Sequence, residues 1–401
     1  MDTAMDQQEE FGRHGRALLA PMTVTPPSHD DDDPRRRELR AWLVEHPNPT
    51  GSELADAGLV APHLARPWGR VADADYQLII DEELERAKVH RPINPIGIGW
   101  AGPTIVYAGT EAQQERWLPR LLSGEEFWCQ LFSEPGSGSD LASLTTTATR
   151  DGDEWVINGQ KVWTSYAHLA TWGILLARTS NEGLPHQGIS YFVCPMRVEG
   201  VTIRPIVDMT GDHAFNEVFF DDVRLPLDHM IGEVNDGWRL AKVTLGNERV
   251  SLSGEGVLWG RGPTAADLVE QVRATPMTLS ALERDELVRC WSHGEILRLL
   301  RLRLVSAVQA GREPGAEASV RKALADDHGQ EVMNLAHRLA GSSGMLTGRG
   351  PGGVAGAVGS SWSFGFLYAQ ALTIGGGTSA VQRNIIGEKV LGLAREPDAT
   401  R

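Results

Sequence analysis

Two short segments decide how this chain is read: Ser133-Glu134-Pro135-Gly136-Ser137-Gly138-Ser139-Asp140 and Asn158-Gly159-Gln160-Lys161-Val162-Trp163-Thr164-Ser165. The first combines hydroxyls with small residues, so its backbone amides can approach a ring edge or a phosphate without side-chain obstruction. The second sets an indole beside two hydroxyls. Alone, the first also reads as a Gly/Ser turn joining helix to sheet. Together they are specific.

Working outward, the stretch from Glu38 to about Ser123 repeats apolar residues at helical spacing: Leu39, Trp42 and Leu43, then Tyr76, Ile79, Ile80 and Leu84, then Trp117, Leu118, Leu121 and Leu122. After Glu126 the runs become short, β-branched or aromatic and turn-bounded, as in Trp155-Val156-Ile157, Gly173 to Ala177, Ile189 to Val193 and Val201 to Ile206. Helical periodicity returns at Trp238 and continues to Leu393, interrupted by a glycine-rich stretch from Gly341 to Gly359. This order predicts an α+β multidomain chain: a tail over 1–34, a helical domain over 35–125, a β domain over 126–235 and a helical domain over 236–401. The tail expectation rests on Pro21, Pro26 and Pro27 and the run Asp30 to Asp33, read as a solvated spacer.

Composition narrows the function. The 38 Lys and Arg against 53 Asp and Glu leave a net charge of −15, which repels polyanions and argues against a nucleic-acid partner. Cys129, Cys194 and Cys290 are odd in number and widely spaced, so neither a disulfide framework nor a cysteine zinc site is expected, and a reducing cytoplasm is. The start from Met1 to Glu10 shows no secretory pattern, and no apolar run approaches the ~18 residues of a membrane span. The glycine-rich stretch lacks Gly-Lys-Ser/Thr, and neither Gly-x-Ser-x-Gly nor His-Glu-x-x-His occurs. The 12 histidines are scattered, so each is read as structural and no metal ligand is assigned.

The two opening segments resemble the signature of the acyl-CoA dehydrogenase family. That signature is a Thr/Ser-Glu-Pro-x-Ala/Ser-Gly-Ser-Asp block followed about twenty residues later by Asn-Gly-x-Lys-x-Trp-x-Thr/Ser. The likeness runs from about Arg36 to Arg395 and implies an N-terminal helical domain, a middle β-barrel and a C-terminal four-helix bundle. It also implies FAD as cofactor. On that resemblance Gln130, Leu131, Phe132 and Ser133 line the flavin's pyrimidine edge, and Ser139 faces the cofactor phosphates and the CoA portion of the substrate. Trp163 then stands beside the flavin ring with Thr164 in backbone contact, Ser165 donates to flavin N5, and Thr378 adds a further cofactor contact. A donor at N5 stabilises the charge that arrives with a hydride.

Departures from the family pattern are informative. The segment Thr373-Ile374-Gly375-Gly376-Gly377-Thr378 resembles the family's Ile-Tyr-Glu-Gly-Thr block, but the catalytic glutamate of medium- and short-chain members falls on Gly376. Desaturation still requires a base for the α proton. Isovaleryl- and long-chain-type members resolve this with a Glu-Arg pair on an earlier helix, where this chain has Gly246-Asn247-Glu248-Arg249. On a helix Glu248 shares a stripe with Ala241, Leu245 and Leu252, so its carboxylate leaves a mainly apolar face, which raises a carboxyl pKa. Ser139, Asn247, Arg249, Gly376 and Gly377 are the substrate contacts implied by the resemblance.

A second departure is the absence of Arg-x-x-Phe-Gly between Gly262 and Ala310, together with Arg338 and Ser342 where the family's Gln-x-x-Gly-Gly-x-Gly turn has Gln and Gly. Those family residues reach the FAD of a neighbouring subunit. Their loss implies a tetramer of α2β2 type, as in actinobacterial steroid-degrading members, with this chain carrying the base; a homo-oligomer holding FAD by other residues is the alternative. The expected reaction is FAD-dependent α,β-dehydrogenation of an acyl-CoA to a trans-2-enoyl-CoA, with Glu248 as base and an electron-transfer flavoprotein as acceptor. The competing expectations are a non-catalytic or cofactor-sharing subunit, an acyl-CoA oxidase, or a carrier-protein thioester as substrate. Fatty or steroid acyl preference depends on pocket volume.

Overall fold

A computed structural model describes residues 32–251, 257–258, 263–309, 316–345 and 358–394. Most of the expected tail (1–31) and the middle of the glycine-rich stretch (346–357) lie outside the described residues.

The first elements are helices α1 (Pro34–Glu45), α2 (Gly51–Asp56), α3 (Ala74–Arg86), α4 (Gly102–Ala108) and α5 (Glu111–Leu122). Their starts follow from capping chemistry. Thr50 and Thr110 form capping boxes with Glu53 and Gln113, and Asp73 accepts from the Tyr76 amide. Asp33, read from sequence as part of a solvated spacer, instead caps α1 by accepting from the Arg35 amide at 2.8 Å. The Arg35 side chain hydrogen-bonds the same carboxylate, and although the little burial there opposes ionisation, the carboxyl is held down at about 2.

Eight strands follow: β1 (Trp128–Leu131), β2 (Thr147–Asp151), β3 (Glu154–Ser165), β4 (Trp172–Arg178), β5 (Ile189–Pro195), β6 (Val201–Ile206), β7 (Phe215–Pro226) and β8 (Met230–Ile231). They form one sheet in the order β6-β7-β3-β2-β4-β5-β8, with β1 added in parallel to β4. Side-chain alternation divides β1, β4 and β5 between two cores. Cys129, Leu131, Leu175, Ala177, Phe192 and Cys194 enter the core of the β domain with Trp155, Ile157 and Val223. Trp128, Ile174, Leu176, Tyr191 and Val193 turn the other way, onto Trp117, Leu118 and the N-terminal helices. Both faces of β4 and β5 are therefore covered, which is why their sequences read as continuous apolar runs.

Helix α6 (Gly237–Ser251) follows the sheet. Its Leu240 and Ala241 join the core shared by the N-terminal helices and the sheet. The described residues up to Ser251 make one compact unit, and those from Val257 a second. The second holds α7 (Ala265–Ala274), α8 (Ala281–Gln309), α9 (Glu317–Leu339), α10 (Val358–Tyr368) and α11 (Ser379–Ile385), around Leu268, Leu287, Val332, Met333 and Trp362.

Candidate active site

The two signature segments meet through a buried ion pair. Lys161 Nζ, with its side chain wholly enclosed, donates to Glu134 Oε1 at 2.8 Å and to the Phe132 carbonyl at 3.1 Å. Glu134 also accepts from the Thr145 amide (2.7 Å), the Thr145 hydroxyl (2.7 Å) and the Thr146 amide (2.9 Å). Burial works against the Glu134 charge, but Lys161 and these donors outweigh it and hold the carboxyl at about 2. Burial pulls the Lys161 ammonium down to about 8 in spite of Glu134. A backbone bond from the Val162 amide to the Ser133 carbonyl (2.9 Å) runs alongside. The Glu and Lys of the two motifs thus hold the loop against the strand, a role that residue-by-residue reading had not assigned.

Backbone irregularities in β3 aim the second segment. Between Lys161 and Thr164 the pairing with β7 slips by one residue, a β-bulge, and Trp163 takes φ 59°. The indole consequently stands 59% exposed, edge-on to Phe215 at 6.0 Å, which excludes an ordinary core aromatic. Thr164 turns inward, its hydroxyl buried without a hydrogen-bond partner, while its carbonyl accepts from Asn216 at 3.1 Å. Ser165 is half-buried at the strand end. Earlier in β3, Asn158 grips the compensating bulge of β7 by donating to Asp222 Oδ1 (2.8 Å) and accepting from the Asp222 amide (2.9 Å). Gly159, at φ 150°, lies where a Cβ would come 2.5 Å from Thr146 Oγ1.

The first segment presents backbone. Ideal Cβ atoms at Gly136 and Gly138 meet nothing within 4 Å, and Ser139 is exposed. Gln130 and Ser133 are half-buried. Leu131 is enclosed in the β-domain core, so only its backbone faces outward chemistry, and Phe132 packs edge-on against Tyr191 at 6.1 Å.

That Tyr191 continues to α6. Its hydroxyl lies 3.1 Å from Thr244 Oγ1, which lies 2.8 Å from Thr104 Oγ1, and all three residues are shut off from solvent. One turn beyond Thr244, Glu248 sits 9% exposed, with Asn247 half-buried beside it. A Cβ at Gly246 would meet nothing within 4 Å, so this stretch of helix borders open space. The Arg249 side chain lies outside the described residues.

In the second unit, Gly376 and Gly377 form a turn at φ 66° and 93° before α11. Lys322 Nζ donates to the carbonyls of Leu372 (3.0 Å), Gly375 (2.8 Å) and Gly377 (3.1 Å) as well as to Asp326. Burial pushes the Asp326 carboxyl up to about 7 although Lys322 opposes it. Thr378 Oγ1 accepts from the Val381 amide as the α11 cap.

Family models for acyl-CoA dehydrogenases match in three pieces: the N-terminal domain over residues 30–125, the middle domain over 129–223 and the C-terminal domain over 235–391. The chain belongs to the acyl-CoA dehydrogenase family. It is an oxidoreductase of that family with the family's three-domain fold. It is 42% identical over 344 residues to acyl-CoA dehydrogenase FadE34 of Mycobacterium tuberculosis, covering 85% of this chain but under half, 46%, of that protein. It is 41% identical to acyl-CoA dehydrogenase IpdE1 of the same organism, over 90% of this chain and 89% of that protein. Among solved structures, the ChsE4-ChsE5 complex from M. tuberculosis is 32% identical with TM-score 0.73, over 97% of this chain and 98% of the matched chain. These likenesses support the actinobacterial type of the family. No described helix is long and apolar enough to cross a membrane.

Proposed function

We propose that this chain is the base-carrying, FAD-dependent subunit of an acyl-CoA dehydrogenase that converts an acyl-CoA to a trans-2-enoyl-CoA. FAD, when bound, supplies the acceptor for the hydride leaving the substrate's β carbon. The residues suit such a group: an exposed Trp163 offers a flat apolar face, and Gly136 and Gly138 leave backbone approachable. Gln130 to Ser133, Ser139 and Trp163 to Ser165 would hold it.

Glu248 takes the α proton. The observation that carries the reading is its setting: a carboxylate 9% exposed, on a helix tied through Thr244 and Tyr191 to the sheet that presents the signature loop. Burial keeps water from competing for the carboxylate, and the tether fixes its direction. By the family resemblance, Asn247, Arg249 and Ser139 contribute substrate contacts in this reading.

One feature favours a two-component assembly. Arg338, at the place of the family's glutamine, is tied to its own Glu286 at 2.6 Å. This replacement, with Ser342 in the same turn and no Arg-x-x-Phe-Gly between Gly262 and Ala310, supports a homologous partner chain in an α2β2 tetramer over a homotetramer. Electrons then leave through an electron-transfer flavoprotein in the cytoplasm. Co-expression with a homologous partner and dye-linked oxidation of fatty and steroid acyl-CoA esters tests the reading. Glu248→Gln should lower turnover by about 10²- to 10⁴-fold while flavin absorbance is retained. Unchanged turnover in that variant removes Glu248 as the base.

A further inference from the structure

Helices α8 and α9 run antiparallel, as the pairs Glu286–Arg338 and His293–Glu331 require. On their facing sides they bring together His293 from α8 with His328 and Glu331, one turn apart, from α9. One ligand atom from each of the three lies within 4.8 Å of the others. His293 Nδ1 is already 3.2 Å from Glu331 Oε2. The two imidazoles stand 6.4 Å apart at 75°, with Gly294 packed beside His328.

A single hydrogen-bond contact with Glu331 accounts for His293 but not for His328. His328 is 5% exposed, and its Nδ1 is buried without a hydrogen-bond partner. An unsatisfied buried nitrogen is costly and calls for an ion or water.

We propose that His293, His328 and Glu331 form a binding site for a divalent transition-metal ion of the zinc class that clips α8 to α9. Two imidazoles and a carboxylate are a donor set that zinc accepts, with the fourth position left to water because His293 and Glu331 are exposed at the rim. Zinc–ligand bonds of 2.0–2.1 Å put tetrahedral ligand atoms about 3.4 Å apart. The His293–Glu331 separation of 3.2 Å already meets that spacing, and rotation of these two exposed side chains closes the rest onto buried His328. The site is structural and independent of the redox reading.

The test uses the full chain, with its partner if one is needed for solubility, stripped with chelator and titrated with zinc alone against a chromogenic competitor. The expected result is one tight site per chain and a melting temperature that rises with zinc concentration. Because His328 is buried and its removal can disturb folding, the decisive variants are His293→Asn and Glu331→Gln at the exposed rim. Each should weaken zinc binding by about tenfold or more and abolish the thermal shift, while His213→Asn on the β domain leaves both intact. Absence of a tight site, or affinity unchanged in H293N and E331Q, overturns the proposal.

Discussion

Removing either partner of the Glu134–Lys161 pair should destabilise the first unit strongly, and unequally. Breaking a buried pair by deleting one partner costs about 3–5 kcal/mol, because the survivor stays charged without compensation. The survivors differ here. In Lys161→Met, Glu134 keeps three donors, from the Thr145 amide and hydroxyl and the Thr146 amide, which places the loss near the lower figure. In Glu134→Gln, Lys161 retains the Phe132 carbonyl and a neutral amide oxygen in a site with no solvent, which places it near the upper. For a unit of this size the losses correspond to melting shifts of about 6–20 °C.

The double variant E134Q/K161M should cost no more than E134Q, since no uncompensated charge remains. The pH dependence supplies a second signature. Glu134 is depressed from 4.5 to about 2, so its contribution is present above pH 4.5 and lost as pH falls toward 2. Lys161 is depressed from 10.5 to about 8, so it burdens the fold below pH 8 and stability recovers as pH rises from 8 to 10.5. At neutral pH the two effects oppose each other, so the intact pair adds little net stability and serves to dock one motif on the other. Urea and thermal melts of the wild type, both singles and the double, followed by far-ultraviolet circular dichroism, read all of this. Single losses below about 1 kcal/mol, or a double equal to the sum of the singles, would refute the reasoning.

Three further outcomes are expected. Trp163→Ala, at a position 59% exposed, should leave the melting temperature nearly unchanged yet weaken flavin retention about tenfold, read by absorbance after gel filtration. Asp326 is raised from 3.8 to about 7, so its contribution is full below pH 3.8 and is lost as pH rises toward 7; Asp326→Asn should flatten that slope in melts across pH 4 to 7. Gly159→Ala forces a Cβ to 2.5 Å from Thr146 Oγ1 and 2.7 Å from its Cα, and should cost about 3 kcal/mol in denaturant melts.

Much of this was legible in the chain. The helical stripe of Trp117, Leu118, Leu121 and Leu122 and the continuous runs of β4 and β5 report local periodicity, which depends only on neighbours along the sequence. The two signature segments supplied the candidate residues of the proposed flavin site, and resemblance to the family's Glu-Arg pair, with an apolar stripe beside it, pointed to Glu248 as the proposed base.

Other features needed the folded chain. A bulge arises from register against β7, so nothing within β3 announces that Trp163 turns outward. Glu134 and Lys161 are 27 positions apart and Thr104 and Thr244 are 140 apart, and only packing decides that such pairs exclude water together. The same holds for His293 and His328, scattered polar residues by sequence but neighbours once α8 and α9 run side by side. Sequence by itself therefore determined the kinds of element, their order and the chemistry available. Tertiary structure decided which polar groups are desolvated together, and desolvation changes what a lysine, a glutamate or a histidine can hold and the pH at which it is charged.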